Sequence, residues 1–214
     1  MTIETKVKKK GQTNEFVIAI WKDYRKYSSR EEVSFDRNIP IAIACFVSVI
    51  AIVVIKDANG IVSILKDFNT VALTVVAILA GFNTASLSVI AASNTKALGK
   101  LYASERQDDN ENSSNLLKQT VSLFGYSIII ELAILVIGGI LIFVFNTLGT
   151  VLTYLPQLKY SDLYERIIIT LFAIPWIAMI FHSLFISIRN ISILYNYILF
   201  LGHQAKEDNG SEGF

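Results

Sequence analysis

Four long runs of apolar residues dominate the chain, and polar segments separate them. The runs are Ile39–Ile55, Val71–Ser93, the stretch 123–145 and Ile167–Ile188. Glu131 is the only charged residue in the four runs, and His182 is the only histidine. A bilayer core requires roughly 17–25 helical residues, and runs without alternation of period two are typical of helices. The pattern therefore predicts an all-α polytopic membrane protein with four transmembrane helices at about 39–55, 71–93, 123–145 and 167–188.

The composition agrees with this prediction. Of the 214 residues, 53% are hydrophobic and only 17% are charged, with a mean hydropathy of +0.50. Buried helices of a soluble protein would need far more polar surface, since soluble domains are about 25% charged. The single cysteine, Cys45, excludes an internal disulfide framework. No cleavable signal peptide is expected, because the first 38 residues are polar and charged.

The distribution of Lys and Arg predicts the orientation of the helices. Segment 1–38 holds nine of them, segment 94–120 holds four, and the tail from Arg189 holds two. The other two loops hold two each. Fifteen basic residues thus lie on one side and four on the other, and basic residues stay cytoplasmic. The N-terminus, the central loop and the C-terminus are therefore expected on the cytoplasmic side of the membrane.

The tail 1–38 is predicted to be cytoplasmic and to contain an amphipathic interfacial helix. Its aromatic residues alternate with basic ones, as in Trp21, Tyr24 and Arg25. This composition also occurs in proteins that bind single-stranded nucleic acid. Because the segment ends shortly before a spanning helix, it favours contact with membrane lipid and no direct contact with nucleic acid.

Two further cytoplasmic helical extensions are expected. Residues 94–120 are predicted to form a hairpin, and residues 190–214 a C-terminal helix and tail. Ile191–Leu201 is apolar almost all the way round a helix, so something must cover it. Lipid, the hairpin of the same chain and another subunit are the alternatives. Leu194, Ile198 and Leu201 are the candidate oligomer or partner surface.

The second apolar run also carries a stripe of small residues that is typical of close helix packing. Their spacing is 4, 4, 3 and 4, which places them on one helix face. The five residues are Ala77, Gly81, Ala85, Ser88 and Ala92. The partner helix is expected within the chain or in another subunit.

Asn83, Glu131 and His182 are the candidate intramembrane polar site. A carboxylate in hydrocarbon is costly, so Glu131 is expected to face the protein interior and to find a partner or take a proton. The predicted helix directions bring Glu131 and His182 into the inner half of the bilayer. Asn83 lies on the face of its helix opposite the small stripe. The site is either a hydrogen-bond network that sets helix register or a site for an ion, a proton or a lipid headgroup.

Sequence motifs of catalysis are absent. The chain contains no HExxH, GxSxG, paired CxxC or phosphate-binding glycine loop. Its two histidines, His182 and His203, are expected on opposite sides of the inner interface and do not make a metal site alone. We therefore expect a protein that is not an enzyme and that uses no metal or cofactor.

The block Gly81–Ser93 (GFNTASLSVIAAS), followed by a basic and then acidic hairpin, resembles small four-helix membrane proteins of bacterial anti-phage operons. The membrane subunit of the Kiwa defence system is an example. The resemblance covers the layout of most of the chain, and this block is its only sequence-like element. It implies a homo-oligomer, a tetramer, that senses disturbance of the inner membrane and signals to a cytoplasmic partner acting on DNA. No functional residue is transferred with it.

Three functions remain open from the sequence. The first is the oligomeric sensor and scaffold that the resemblance implies. The second is an ion channel or pore-forming effector, if Asn83, Glu131 and His182 line a path. The third is a toxin-immunity membrane protein, because colicin immunity proteins can share the four-helix layout.

Overall fold

The computed structural model describes residues 12–92, 116–152 and 162–210, and these ranges form five helices. The helices are α1 (Gln12–Tyr27), α2 (Arg30–Val54), α3 (Ala58–Ala92), α4 (Leu116–Leu152) and α5 (Asp162–Gly210). The last four are long and apolar enough to cross a membrane. The prediction of an all-helical chain with four candidate membrane spans is thereby confirmed. Of the predicted hairpin and tails, residues 1–11, 93–115 and 211–214 lie outside the described residues.

Helices α2 and α3 begin well before the predicted spans because polar side chains cap them. At α2 the Ser29 hydroxyl accepts the Glu32 N–H, and the Glu32 carboxylate accepts the Ser29 N–H, which is a capping box. At α3 the Asp57 carboxylate accepts the Gly60 N–H at 2.6 Å. Only residues 55–57 separate the two helices.

Helix α5 joins the fourth predicted span and the predicted C-terminal helix without a break. It contains 49 residues, which corresponds to about 74 Å at the α-helical rise. Pro175 lies inside it and does not end it. Because a bilayer core is about 30 Å thick, α5 is longer than one crossing requires.

The helices pack in neighbouring pairs. α2 lies along α5, α3 lies between α4 and α5, and α1 lies against α4. Val76 of α3, Ile134 of α4 and Ile180 of α5 meet in one buried cluster. This three-helix contact places the central polar residues at the same level.

Gly138 allows α3 and α4 to approach closely. A Cβ there would meet Cδ2 of Leu73, and it would lie 3.1 Å from a ring carbon of Trp176. Beside it, Asn69 donates to the Gly138 carbonyl at 3.0 Å and accepts from the Trp176 indole at 3.1 Å. The small residue and the bonded asparagine together hold the three helices at this level.

Large apolar side chains cover the outside of the helices. Phe46, Ile78, Phe143 and Phe172 are each 67% exposed or more. Soluble monomers rarely expose contiguous apolar patches of this kind. This surface is compatible with a multi-pass membrane protein.

Candidate functional site

Five polar side chains from α3, α4 and α5 form a buried group that we call the carboxyl network. Each of them has 0% exposure. They are Asn83, Ser127, Glu131, Ser187 and Asn190. Ser127 and Glu131 are four residues apart, and Ser187 and Asn190 are three apart, so each pair lies on one helix face.

Three donors converge on one oxygen of the Glu131 carboxyl group. Oε1 accepts from Ser187 Oγ at 2.6 Å, from Asn83 Nδ2 at 2.7 Å and from Ser127 Oγ at 3.0 Å. Asn190 donates to Asn83 Oδ1 at 3.2 Å, and this bond orients the Asn83 amide with its nitrogen toward Glu131. The network therefore ties three helices together through one oxygen atom.

Hydrogen bonding in the rest of the carboxyl network is incomplete. Glu131 Oε2 and Asn190 Oδ1 are buried without a hydrogen-bond partner. Among the described residues, no Lys, Arg or His forms an ion pair with Glu131. Every group that binds this carboxyl is neutral.

A second group, the charged cluster, joins α1, α2, α4 and α5. It consists of Tyr24, Asp36, Tyr126, His182 and Arg189. Asp36 is 3% exposed and pairs with Arg189 Nη1 at 2.8 Å, and Tyr24 donates its hydroxyl to Asp36 at 3.1 Å. Here the buried carboxylate has a cation beside it.

Tyr24 attaches α1 to this cluster. Its ring stacks on that of Tyr126 with centroids 4.1 Å apart, and the Arg189 guanidinium lies 5.5 Å from the Tyr24 ring. Burial, and next the nearby Asp36 charge, raise the pKa of Tyr24 above its ordinary value. The hydroxyl therefore keeps its proton and remains a donor to Asp36.

His182 belongs to the charged cluster because of a proline. Pro40 lacks an N–H, so the Asp36 carbonyl four residues earlier has no helical donor. His182 Nδ1 lies 2.6 Å from that carbonyl oxygen and must be the donor. In the neutral ring Nε2 is then an acceptor, and Tyr126 donates its hydroxyl to it at 3.1 Å. The structure therefore unites Asn83 with Glu131 and places His182 in the neighbouring cluster.

The two groups adjoin through consecutive residues. Tyr126 of the charged cluster precedes Ser127 of the carboxyl network on α4. Arg189 likewise precedes Asn190 on α5. A displacement of either helix at this level must affect both groups.

The three residues predicted to lie at the membrane interface divide between two faces of α1. Trp21 is 47% exposed, and the Arg25 guanidinium lies 5.1 Å from its ring centroid. Tyr24 is only 3% exposed. Neighbouring sides of α1 therefore have different surroundings, one exposed and one buried.

The small stripe of α3 is exposed in the part of the chain that the structure describes. All five residues, from Ala77 to Ala92, are exposed in the single subunit. A Cβ added at Gly81 would meet no atom within 4 Å. Of the two expected partners, the described part of this chain does not supply one.

The candidate C-terminal surface is divided as well. Leu194 and Leu201 are partly buried against a cluster of Ile90, Phe124 and Tyr197. Ile198 is 55% exposed. The described helices therefore cover one side of this segment, and its other side is exposed among the described residues.

Several residues of the two groups were not predicted from the sequence. In the sequence, Ser127 and Ser187 look like ordinary small residues of apolar runs. Asp36 looks like part of a polar tail. The signals were the four-residue spacing of Ser127 and Glu131 and that of Asp36 and Pro40. Both become informative only when the neighbouring helix is known.

Comparison with protein-family models, with curated proteins and with solved structures found no match to this chain. Within the described residues, no three His, Cys, Asp or Glu side chains are grouped as a metal site. Functional inference therefore depends on the two polar groups and the exposed helix faces.

Proposed function

We propose that this protein is an oligomeric sensor and scaffold of the bacterial inner membrane. It detects disturbance of the membrane and signals to a cytoplasmic effector in anti-phage defence. The four long apolar helices support membrane insertion, and the excess of Lys and Arg on one side supports cytoplasmic termini. The layout around Gly81–Ser93 supports the defence role by resemblance. In this orientation α1 and the C-terminal end of α5 lie at the cytoplasmic side.

Reporter fusions test the orientation. Fusions at Gly60 or Gly149 should give periplasmic activity, and fusions at Asp109 or the C-terminus should give cytoplasmic activity. The distribution of basic residues is the reason. A periplasmic signal at Asp109 would overturn the arrangement.

The two faces of α1 are the observation that carries the sensor proposal. Its outer face exposes Ile18 and Trp21 beside basic residues, which suits the boundary between anionic headgroups and acyl chains. Its inner face inserts Tyr24 against Tyr126 and Asp36. A helix built this way binds lipid on one side and the helical core on the other.

A continuous set of contacts leads from α1 into the core. Tyr24 bonds to Asp36, and Asp36 bonds to Arg189 and His182 of α5. Ser187 of the same helix then bonds to Glu131 of α4. A change in how α1 lies on the membrane would pass along these contacts to the packing of α4 and α5.

Tryptophan fluorescence in lipid nanodiscs tests whether α1 reads the membrane. Subtracting the spectrum of Trp21→Phe isolates Trp21 from Trp176. We expect brominated lipid to quench the Trp21 signal and aqueous acrylamide to have little effect, with a stronger contrast in anionic lipid. Quenching by acrylamide in every lipid composition would contradict the proposal.

The open side of the C-terminal part of α5 is the proposed surface for other subunits or the effector. Ile191, Tyr195 and Ile198 are 48–62% exposed there. Changing these three to serine should dissociate the oligomer or release the effector without loss of insertion. Leu194→Ser is the matched control, because Leu194 packs on the chain's own cluster and should reduce stability instead. An unchanged mass in light scattering together with retained effector binding would exclude this surface.

The channel alternative has less support. Of the three side chains that would line a path, Asn83 and Glu131 are fully buried and bonded to each other, and His182 is bonded within the charged cluster. We expect the purified protein to give no steady conductance in a planar bilayer. The immunity alternative relies on the four-helix layout alone.

A further inference from the structure

We propose that Glu131 is a proton-binding site: its carboxyl group carries a proton on Oε2 inside the carboxyl network. This inference does not depend on the sensor function. Its first support is the asymmetry of the carboxyl group. Oε1 accepts three hydrogen bonds, whereas Oε2 is buried and accepts none.

The surroundings of Glu131 leave its charge uncompensated if it is ionised. The titratable groups of the cluster that adjoins the network are Tyr24 of α1, Asp36 of α2, Tyr126 on the helix of Glu131, and His182 and Arg189 of α5. All five are bonded to one another in the charged cluster, and α3 contributes only the neutral Asn83. A fully buried carboxylate without a cation is strongly disfavoured, whereas a neutral carboxylic acid is not.

A metal cation fits the network poorly. Ca²⁺ takes six to eight oxygen ligands and Mg²⁺ takes six. Only Glu131 Oε2 and Asn190 Oδ1 are free acceptors here, because the three donors direct their hydrogens at Oε1. Two oxygens are too few for such an ion. A proton needs one oxygen and is stabilised by a second.

The second acceptor is present in the same network. Asn190 donates to Asn83 through Nδ2, which leaves its Oδ1 buried without a donor. A proton on Glu131 Oε2 adds the donor that the network lacks, and Asn190 Oδ1 is the unpaired acceptor of that network.

Loss of this proton would leave a bare charge among α3, α4 and α5. The three helices are held together at this level through Oε1. Repacking of the helices, or entry of water, would be needed to solvate the charge. The site therefore links proton release to a change in helix packing.

Infrared spectroscopy of the full chain in lipid nanodiscs tests the proposal. At neutral pH the wild type should show the C=O stretching band of a protonated carboxylic acid, and Glu131→Gln should lack it. Ser187→Ala removes the shortest bond to Oε1 and should move this band to higher frequency while retaining it. Asp67→Asn removes an exposed carboxylate of α3 and should leave the band unchanged.

The contrary outcomes are distinct. If no C=O band is lost in Glu131→Gln and none is shifted by Ser187→Ala, the carboxyl group of Glu131 is ionised. That result would overturn the proposal. The band could also disappear when Na⁺, K⁺ or Mg²⁺ is added and persist with a bulky organic cation. That result would show that a metal ion, and not a proton, binds Glu131 and would overturn the proposal. Because Ser187→Ala retains the carboxyl group, the test holds even if Glu131→Gln fails to fold.

Discussion

The carboxyl network and the charged cluster solve the same problem in different ways. Each buries an acidic side chain between helices, Glu131 in one and Asp36 in the other. Asp36 has the Arg189 guanidinium at 2.8 Å. Glu131 has only amide and hydroxyl donors. A buried acidic side chain can therefore be stabilised by a counter-charge or by neutral donors, and we expect the two arrangements to respond differently to mutation.

Removal of Arg189 should have the largest effect. Arg189→Met keeps most of the side-chain volume but leaves Asp36 as an unpaired buried charge. Breaking a buried ion pair in this way costs about 3–5 kcal/mol. The measurement is the free energy of unfolding in mixed micelles with increasing SDS.

The double variant Asp36→Asn with Arg189→Met is its control. With no charge left unpaired, it should recover much of the lost stability. If the double variant is no more stable than Arg189→Met, the cost lies in lost packing and not in the bare carboxylate.

Glu131→Leu should have the next largest effect. Leucine leaves Asn83 and the two serine hydroxyls without their shared acceptor, which costs about 1–3 kcal/mol for a buried unsatisfied group. Glu131→Gln keeps an oxygen acceptor for these three donors. We expect Gln to unfold close to the wild type and Leu to unfold at lower SDS. Equal stability of Glu131→Leu and the wild type would show that the carboxyl network does not stabilise the packing of the helices.

Gly138→Ala should disturb the carboxyl network and leave the charged cluster intact, because only the carboxyl network depends on the contact of α3 with α4. The added Cβ meets Leu73 and Trp176 and should cost about 1–3 kcal/mol. Gly139→Ala is the matched control, since a Cβ there meets no atom within 4 Å. Crosslinking between α1 and α4 should be unchanged in both variants. Similar unfolding of the two would show that the helices tolerate the extra volume.

The sequence predicted the helices well and the polar partners only in part. Long uncharged runs identify membrane-length helices with little ambiguity. Their ends were less predictable, because a cap such as Ser29 or Asp57 acts locally and extends a helix through polar residues. The first predicted span therefore begins at residue 39, whereas helix α2 begins at Arg30.

The candidate site was predictable where one residue is costly by itself. Glu131 in an apolar run requires partners, and Asn83 is one of them. His182 was assigned to the same site because only its depth was known. Its ring is held instead by the carbonyl that Pro40 leaves free. That relation joins α2 to α5, and spacing within one segment does not reveal it.

Tyr24→Phe should have the smallest effect and tests how firmly α1 is attached to the charged cluster. Phenylalanine keeps the stacking on Tyr126 and removes only the hydroxyl bond to Asp36, worth about 0.5–1.5 kcal/mol. Because the folded state raises the pKa of Tyr24, this contribution is complete below the ordinary tyrosine pKa of about 10. It is lost as the pH rises above that value, where the unfolded chain ionises first. The wild type should therefore be more stable than the variant at neutral pH and should lose this advantage at strongly alkaline pH.

Tyr195→Phe is the control for that pH series, because Tyr195 is 62% exposed on α5. It shows what the loss of a tyrosine hydroxyl outside the charged cluster does to the same unfolding curves. Unfolding curves of the three proteins, measured at neutral and at alkaline pH, decide the matter. If the wild type and Tyr24→Phe are equally stable at every pH of the series, the Tyr24 hydroxyl makes no net contribution to the stability of the folded chain. The attachment of α1 would then depend on ring stacking alone, and its hydroxyl bond to Asp36 would add nothing to the path from the membrane surface to the core.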